Sequence, residues 1–297
     1  MAVIGFIGLG HMGGPMSANL VGAGHSVRGF DLTAETLEAA AGHGVTPAES
    51  VADAVRGVDA VITMLPGGKP LLDCYGDVLD AADPGTLLID SSTVDVTDAR
   101  KAHELANSAG FDSVDAPVSG GTAGAEAGTL TFMVGAPEEA FRRAEPVLEP
   151  MARKVIHCGG AGNGQVTKMC NNLMLGASMI AVGEAFVLGE KLGLSHQALY
   201  DVASVSTGQC WSLTTNCPVP GMVPTSRADQ DYEPGFAAAL MLKDLNLAVS
   251  AAEQSGTETE IGRLASEIYQ RFNEEGGGGY DFGAVINSIR QRSAGTG

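Results

Sequence analysis

A lysine and an amide side chain lie four residues apart in the most apolar part of the chain. Lys168 and Asn172 belong to a stretch from residue 165 to about residue 192 that has almost no polar face. Residues four apart on a helix share one face, and an amine in apolar surroundings is costly unless something uses it. Burial lowers the pKa of a lysine, so the pattern suits Lys168 to general acid/base work on an alcohol and its carbonyl, with Asn172 orienting the amine or the substrate. The alternative is that Lys168 simply extends to water.

A second candidate is the segment Asp115-Ala-Pro-Val-Ser-Gly-Gly121. Ser119 offers a hydroxyl, and Gly120 and Gly121 offer backbone N–H groups that no side chain obstructs. Such a nest suits a carboxylate. Composition alone favours the alternative, an ordinary surface turn.

A glycine-rich run, Gly8-Leu9-Gly10-His11-Met12-Gly13, follows one predicted strand and opens a predicted helix. Its glycines permit a tight turn, a close backbone approach to a pyrophosphate and close helix packing. Asp31 ends the next predicted strand, 18 residues after Gly13. A carboxylate there accepts hydrogen bonds from ribose hydroxyls and repels a 2′-phosphate, so the pattern predicts NAD rather than NADP. The alternative is a turn without a ligand, with Asp31 as a helix N-cap.

Two more segments follow predicted strands, where open α/β sheets bind ligands. These are Met64-Leu65-Pro66 and Ser91-Ser92-Thr93. We expect Met64, Leu65, Pro66 and Thr93 to contact the cofactor. The alternative for each segment is a strand-ending turn, where proline and serine are common.

The helical second half holds the remaining candidates. Lys243 and Asp244 form a charged pair inside an apolar helical run, and the alternative is an exposed helix face. Trp211 is the only tryptophan and lies in a stretch of about 30 residues, 206–235. A loop that long is usually functional or disordered. Trp211 is expected either to wall an apolar substrate pocket or to anchor the loop.

The elements that position these residues fall into two groups. Strands predicted at 3–7, 27–31, 60–65, 87–90 and 112–115 alternate with helices at 14–23, 33–42 and 100–109, which is typical of a doubly wound parallel sheet. Strands at 130–134 and 155–157 follow, joined by a helix at 137–151. A long helix at 165–192 and further helices at 195–205, 237–254, 257–273 and 284–291 complete the chain. We predict an α/β Rossmann domain over 1–162 and an all-α domain over 163–297 that begins with a long interdomain helix, buried on all sides because it is apolar all round.

Bulk properties exclude several classes of protein. The net charge of -18 argues against nucleic acid, whose phosphates need a basic surface. The five cysteines include no C-x-x-C pair, which indicates reduced thiols in the cytoplasm rather than a disulfide framework or a metal site. Because the sequence runs from Met1 directly into the first predicted strand, we expect no signal peptide. The most apolar run, residues 173–183, is shorter than the ~18 residues of a membrane span.

The chain resembles the β-hydroxyacid dehydrogenases, and most closely their 3-hydroxyisobutyrate branch. The resemblance covers essentially the full length and rests on Gly8-Leu-Gly-His-Met-Gly-Gly-Pro-Met16, Asp115 to Gly121, Gly164-x-x-x-Lys168-x-x-Asn-Asn172 and Lys243-Asp244-Leu245. The segment Ser206-Thr-Gly-Gln-Cys-Trp211 with Asn216-x-Pro-x-Pro-Gly221 is similar to that branch in particular, although Cys217 departs from its pattern.

The resemblance implies that Lys168 is the catalytic acid/base, assisted by Asn172, and that Ser119, Gly120 and Gly121 hold the substrate. It places Lys243 near the nicotinamide end of the cofactor and the substrate. The implied reaction is NAD-dependent oxidation of 3-hydroxyisobutyrate to methylmalonate semialdehyde in valine catabolism, without a metal. Alternatives are a dehydrogenase for serine, glycerate or 3-hydroxypropionate, and a non-catalytic NAD-binding sensor. The apolar long helix suggests a homodimer or homotetramer without a membrane partner.

Overall fold

The computed structural model describes residues 1–294, and its first half is built on two sheets. A six-stranded parallel sheet has the order β3-β2-β1-β4-β5-β6. Its strands are β1 (Val3–Ile7), β2 (Ser26–Phe30), β3 (Thr46–Pro47), β4 (Ala60–Thr63), β5 (Leu87–Asp90) and β6 (Ser113–Asp115). A three-stranded sheet holds β7 (Val118–Ser119), β8 (Leu130–Val134) and β9 (Ala152–His157), with β7 antiparallel and β9 parallel to β8.

Seven helices cover this half: α1 (Gly13–Gly22), α2 (Ala34–Ala41), α3 (Val51–Val55), α4 (Gly68–Ala81), α5 (Val96–Ser108), α6 (Gly121–Glu126) and α7 (Glu138–Leu148). Alternate strand residues point to two separate hydrophobic clusters, as they must in a sheet covered on both faces. Ala60 and Ile62 belong to the cluster that includes α1. Val61, between them, belongs to the cluster that includes α4. This explains why β4 and β5 are continuous apolar runs.

The second half is helical. It holds α8 (Asn163–Lys191), α9 (His196–Ala203), α10 (Trp211–Thr214), α11 (Ala238–Ser255), α12 (Glu260–Glu274) and α13 (Val285–Ala294). Among its described residues there is no β-strand, only an isolated backbone bridge between Ala237 and Asp281. The predicted fold class, a Rossmann domain followed by a long helix and a helical C-terminal domain, is confirmed.

By their contacts the residues fall into two units, Met1–Lys168 and Met169–Gly297. The division lies inside α8, after its sixth residue. The reason is visible in the first turn of α8, where the Gln165 side chain accepts a hydrogen bond from the Val94 N–H at 3.2 Å and donates one to the Ser92 carbonyl at 2.7 Å. The start of α8 is therefore part of the sheet-bearing unit.

The expectation that α8 is buried on all sides is wrong for the single chain. Met174 and Leu188 are 63% and 62% exposed, because the helix is apolar around its whole circumference whereas its neighbours cover only part of it. Among the described residues it is also the one helix whose length and composition would allow it to cross a membrane, although 44% of that stretch is buried inside the protein. Buried core helices have the same composition.

The long loop at 206–235 is ordered around one carboxylate. Asp281 is 1% exposed and accepts hydrogen bonds from the Asn216 amide and from the N–H groups of Gly235 and Phe236, each at 3.2 Å. Asp281 therefore ties the middle part of the loop, just after α10, to its end at Gly235.

Candidate active site

The glycine-rich loop after β1 has the geometry that a dinucleotide needs. Gly8 has φ +90°, and a Cβ there would lie 2.3 Å from the Met64 carbonyl oxygen. A Cβ on Gly13 would lie 1.9 Å from the carbonyl oxygen of Gly8, so both positions require glycine for the loop's own packing. Gly10 is exposed, with no atom within 4 Å of where its Cβ would be. The open backbone at Gly10 and the start of α1 together fit a pyrophosphate.

Asp31 reaches this loop directly. One carboxylate oxygen accepts a hydrogen bond from the Leu9 N–H at 2.8 Å, and the other accepts one from the Thr33 N–H at 2.9 Å. The N-cap of α2 is Thr33, so the alternative that Asp31 caps this helix is wrong. The half-buried carboxylate therefore lies beside the glycine-rich loop, where a ribose would be recognised in this type of sheet.

Two other predicted cofactor segments are joined to each other at the ends of β4 and β5. The Leu65 N–H donates a hydrogen bond to the Ser92 hydroxyl at 2.8 Å. The strand order reverses between β1 and β4, and open α/β sheets bind ligands at such a switch point. The glycine-rich loop follows β1, while Met64 follows β4. The segments singled out from sequence thus share one edge of the sheet.

Asp90, which the sequence analysis did not single out, organises this edge. It is 2% exposed, and its Oδ1 accepts hydrogen bonds from the Thr63 hydroxyl at 2.7 Å and the Ser92 hydroxyl at 2.6 Å. Burial raises the pKa of Asp90 to about 6, against the lowering effect of these hydrogen bonds. Its Oδ2 has no hydrogen-bond partner within residues 1–294. In the sequence, Asp90 is recognisable as a charged residue at the end of the apolar run that forms β5.

Lys168 is buried, with 7% of its surface exposed. Its Nζ donates a hydrogen bond to the carbonyl oxygen of Val118 at 2.9 Å, so the alternative that the side chain extends to water is wrong. Ser119 follows Val118 in β7 and pairs with Thr131 of β8. The segment therefore joins the end of a strand at Ser119 to an exposed turn at Gly120, so the surface-turn alternative holds for the glycine. The Lys168 amine is therefore hydrogen-bonded to the residue that precedes the predicted carboxylate nest.

The nest itself has an unusual backbone. Gly120 has φ +141° and Gly121 has φ +62°, conformations that side chains rarely allow. The two glycines therefore turn the chain sharply between Ser119 and the start of α6.

In the second unit, Asn172 and Asp244 form a buried pair. They are 1% and 5% exposed, and the Asn172 amide donates a hydrogen bond to the Asp244 carboxylate. Asn171 donates to the Asn172 oxygen at 3.0 Å. The alternative for the Lys243-Asp244 pair was an exposed helix face. This is wrong for Asp244, which is buried, and Lys243 is half-buried.

Trp211 and Cys217 have opposite surroundings in the long loop. Trp211 begins α10 and is 52% exposed, so its indole does not anchor the loop in a core. Cys217 is fully buried in an apolar cluster, and burial raises the pKa of its thiol to about 11. Cys217, the residue at which the segment differs from the pattern it resembles, therefore fills a core position and adds no reactive group.

Within residues 1–294, no three His, Cys, Asp or Glu side chains come together as a metal site would require. Buried polar residues for which the sequence indicated no role include Asp90, His103, Ser113 and Gln165. Asp90 follows an apolar run, whereas His103 lies in a largely polar helix and has no such signal.

Comparisons with known proteins agree with this geometry. Residues 3–160 match the family model of the NAD-binding domain of 6-phosphogluconate dehydrogenase, and residues 162–289 match that of the NAD-binding region of NADP-dependent 3-hydroxyisobutyrate dehydrogenase. The probable 3-hydroxyisobutyrate dehydrogenase of Mycobacterium tuberculosis is 56% identical over 293 residues, which are 99% of each chain. The chain belongs to the 3-hydroxyisobutyrate dehydrogenase family. It is an NAD-dependent oxidoreductase that acts on a CH–OH group, as predicted.

A solved structure and a second relative are named with L-serine. A solved structure of Mycobacterium tuberculosis 3-hydroxyisobutyrate dehydrogenase with L-serine superimposes with a TM-score of 0.95, at 56% identity, over 98% of this chain and 99% of that one. The NAD-dependent L-serine dehydrogenase of Pseudomonas aeruginosa is 44% identical over 288 residues, 96% of this chain and 97% of its own length. The predicted cofactor, NAD, is confirmed at the level of the family, while the individual contact residues stay predictions.

Proposed function

We propose that this dehydrogenase oxidises 3-hydroxyisobutyrate to methylmalonate semialdehyde, as a step of valine catabolism. The observation that carries the proposal is the buried Lys168 amine, hydrogen-bonded to the residue before Ser119. It is supported by the 56% identity to a probable 3-hydroxyisobutyrate dehydrogenase over nearly the whole chain.

Each group in this arrangement has a role that follows from its chemistry. Ser119, Gly120 and Gly121 bind the substrate carboxylate through the hydroxyl and the open N–H groups. Lys168 takes the proton of the substrate hydroxyl at Nζ, which is a suitable position for a general base because it is shielded from water. Asn172, one helical turn further along α8 and held by Asp244, orients the substrate hydroxyl or the amine. Trp211 contributes an apolar surface to the substrate.

The residues proposed to hold the cofactor are Gly8 to Gly13, Asp31, Met64, Leu65, Pro66, Thr93 and Lys243. The loop after β1 receives the pyrophosphate, and Asp31 accepts hydrogen bonds from the ribose hydroxyls and disfavours a 2′-phosphate. Bound NAD supplies the acceptor for the hydride that leaves the carbinol carbon.

L-Serine is a second candidate substrate. It is also a 3-hydroxy acid, and it would use the same carboxylate nest and the same lysine. The observations that favour it are the L-serine named with the 56% identical solved structure and the 44% identical L-serine dehydrogenase. The two substrates differ at the α-carbon, which carries a methyl group in one and an ammonium group in the other.

A substrate panel tests the proposal. Formation of NADH is measured with 3-hydroxyisobutyrate, L-serine, glycerate and 3-hydroxypropionate, each with NAD and with NADP. The proposal predicts the highest kcat/KM for 3-hydroxyisobutyrate with NAD. A higher value for L-serine would replace it with the second candidate, and no turnover of any hydroxy acid would favour a non-catalytic sensor.

We also propose that the enzyme is a cytoplasmic homodimer or homotetramer. The exposed apolar side chains of α8, including Met174 and Leu188, are suited to an interface between copies. All five cysteines are free thiols, which suits a reducing compartment. Light scattering of wild type and of Leu188→Glu tests the assembly: a lower mass for the variant supports it, and a monomeric wild type contradicts it.

A further inference from the structure

A chain of three buried side chains lies at the start of the helix that carries the proposed catalytic lysine. The Ser113 hydroxyl is 2.6 Å from His103 Nδ1, and His103 Nε2 is 2.9 Å from Asp115 Oδ1. The three residues are 3%, 4% and 2% exposed. Burial of three polar side chains is costly unless each is hydrogen-bonded. No step of the proposed reaction uses these three side chains directly.

Asp115 joins this chain to the start of α8. Its Oδ1 also accepts a hydrogen bond from the Gly162 N–H at 2.8 Å, and its Oδ2 accepts one from the Gln165 N–H at 3.0 Å. These are N–H groups at the beginning of a 29-residue helix, where a carboxylate is favourable because of the helix dipole. Lys168 lies three residues after Gln165, so the carboxylate fixes the turn that carries the catalytic amine.

Asp115 also fixes the other side of the proposed site. Its backbone exchanges two hydrogen bonds with Gly135, at 2.7 and 3.1 Å, and the chain continues from Asp115 through Val118 to Ser119. Space around it is tight: a Cβ on Gly164 would lie 2.7 Å from the Asp115 carbonyl oxygen and 2.3 Å from that of Met133. One residue thus ties both the Lys168 helix and the Ser119 strand to β6.

We propose that Ser113, His103 and Asp115 are positioning residues that set the distance between Lys168 and the carboxylate nest. The Asp115 carboxylate accepts from His103 Nε2, and His103 Nδ1 accepts from the Ser113 hydroxyl, which together hold the carboxylate in one orientation toward α8. The chain has the order of a hydrolytic triad, but Ser113 is enclosed in β6, where no substrate reaches its oxygen. The inference rests on the proposed role of Lys168.

The test compares two substitutions at His103, one of which keeps a hydrogen-bond donor to Asp115 and one of which removes it. In His103→Gln the amide can still donate to Asp115, whereas in His103→Met a side chain of similar length cannot. We expect His103→Met to lower kcat by about 10- to 100-fold, because small misplacements of a catalytic group have effects of that order, with little change in KM or in NAD affinity. His103→Gln should recover most of kcat.

A matched control is Thr86→Val. Thr86 is also buried, and its hydroxyl donates to the Val58 carbonyl at 3.0 Å at the opposite end of β5. This variant should lose stability while keeping kcat. The inference is overturned if His103→Gln and His103→Met lower kcat equally, or if kcat in all three variants follows their melting temperatures.

A double-variant experiment separates this inference from the proposed function. His103→Met is combined with Lys168→Ala, and NADH formation is followed over long times. If His103 acts through Lys168, adding His103→Met to Lys168→Ala should produce little further loss. A full additional loss would overturn the positioning role while leaving Lys168 as the acid/base. Wild-type kcat in Lys168→Ala alone would instead overturn the proposed function.

Discussion

The Nζ of Lys168 donates a hydrogen bond to the carbonyl oxygen of Val118, a residue 50 positions earlier in the chain, at 2.9 Å. This bond brings the one amine in the first turns of α8 to the strand that ends at Ser119. The proposed general base and the proposed anion-binding loop therefore share one anchor. Neither the helix nor the strand alone explains why a lysine is buried there.

The carboxylate nest makes a first prediction. Ser119→Ala removes one hydroxyl donor to a charged group, and such a hydrogen bond contributes about 1.5–3 kcal/mol. KM for 3-hydroxyisobutyrate should therefore rise by about 10- to 100-fold, with a smaller effect on kcat. Steady-state kinetics measure both values, and the exposed Ser26→Ala is the control. An unchanged KM in Ser119→Ala would argue against carboxylate binding there.

The second prediction concerns the choice between NAD and NADP. Asp31→Ala removes the negative charge that repels a 2′-phosphate, so the ratio of kcat/KM for NAD to that for NADP should fall by about tenfold or more. The kcat/KM for NAD should itself fall, because Asp31 also accepts a hydrogen bond from the Leu9 N–H of the glycine-rich loop. In the control Asp53→Ala, an exposed carboxylate that accepts from the Glu49 N–H is lost. The ribose role is contradicted if the Asp31→Ala ratio equals that of wild type.

The third prediction is a pH dependence of stability that originates in Asp90. Burial raises the pKa of its carboxyl to about 6 in the folded state, above the ordinary value of 3.8. The stabilisation from the neutral acid is therefore complete below about pH 4 and is lost as the pH rises through about 6. The difference corresponds to about 3 kcal/mol.

The Asp90→Asn side chain cannot ionise, so this variant should not lose the same stabilisation as the pH rises. The free energy of unfolding of the variant minus that of wild type should rise by up to about 3 kcal/mol between about pH 4 and about pH 7. Urea unfolding at several pH values measures this difference, and any constant cost of the new amide cancels from its pH dependence. Parallel stability curves for the two proteins would show that Asp90 does not titrate in this range.

The fourth prediction addresses the half-exposed Trp211. If its indole provides an apolar surface for the substrate, Trp211→Ala should lower kcat/KM for 3-hydroxyisobutyrate by about tenfold or more, and by less for L-serine, which has no methyl group. Trp211→Phe should retain most of the activity on both. Equal losses for the two substrates in Trp211→Ala would mean that Trp211 does not distinguish them.

Much of the fold follows from periodicity alone. The predicted strands at 3–7, 87–90 and 130–134 coincide with β1, β5 and β8, because buried parallel strands are short apolar runs between turns. Helix α4 (Gly68–Ala81) was not predicted. Gly68, Pro70 and Gly76 lower its helix propensity, yet Leu71 and Val78 bury one face of it against the sheet. Tertiary packing therefore determined the structure where local propensity was weak.

The candidate site was predictable only in part. The glycine-rich loop stands out because its spacing falls between a predicted strand and a predicted helix, and Lys168 stands out because it is a charged residue in an apolar helix. The supporting residues do not. Asp115 contacts Gly162 and Gln165 across 47 and 50 residues of sequence, and no local pattern identifies such a contact. The alternatives for Lys168 and Asp31 could likewise be decided only by burial and hydrogen-bond partners.

The measurement that tests the central claim most directly is the rate of NADH formation by Lys168→Ala on 3-hydroxyisobutyrate. Its control is Lys69→Ala, which removes an exposed lysine paired with Asp73. Loss of a general acid/base should lower kcat by about 10²- to 10⁴-fold, with NAD binding and folding retained and with Lys69→Ala like wild type. A Lys168→Ala enzyme as fast as wild type would contradict the account.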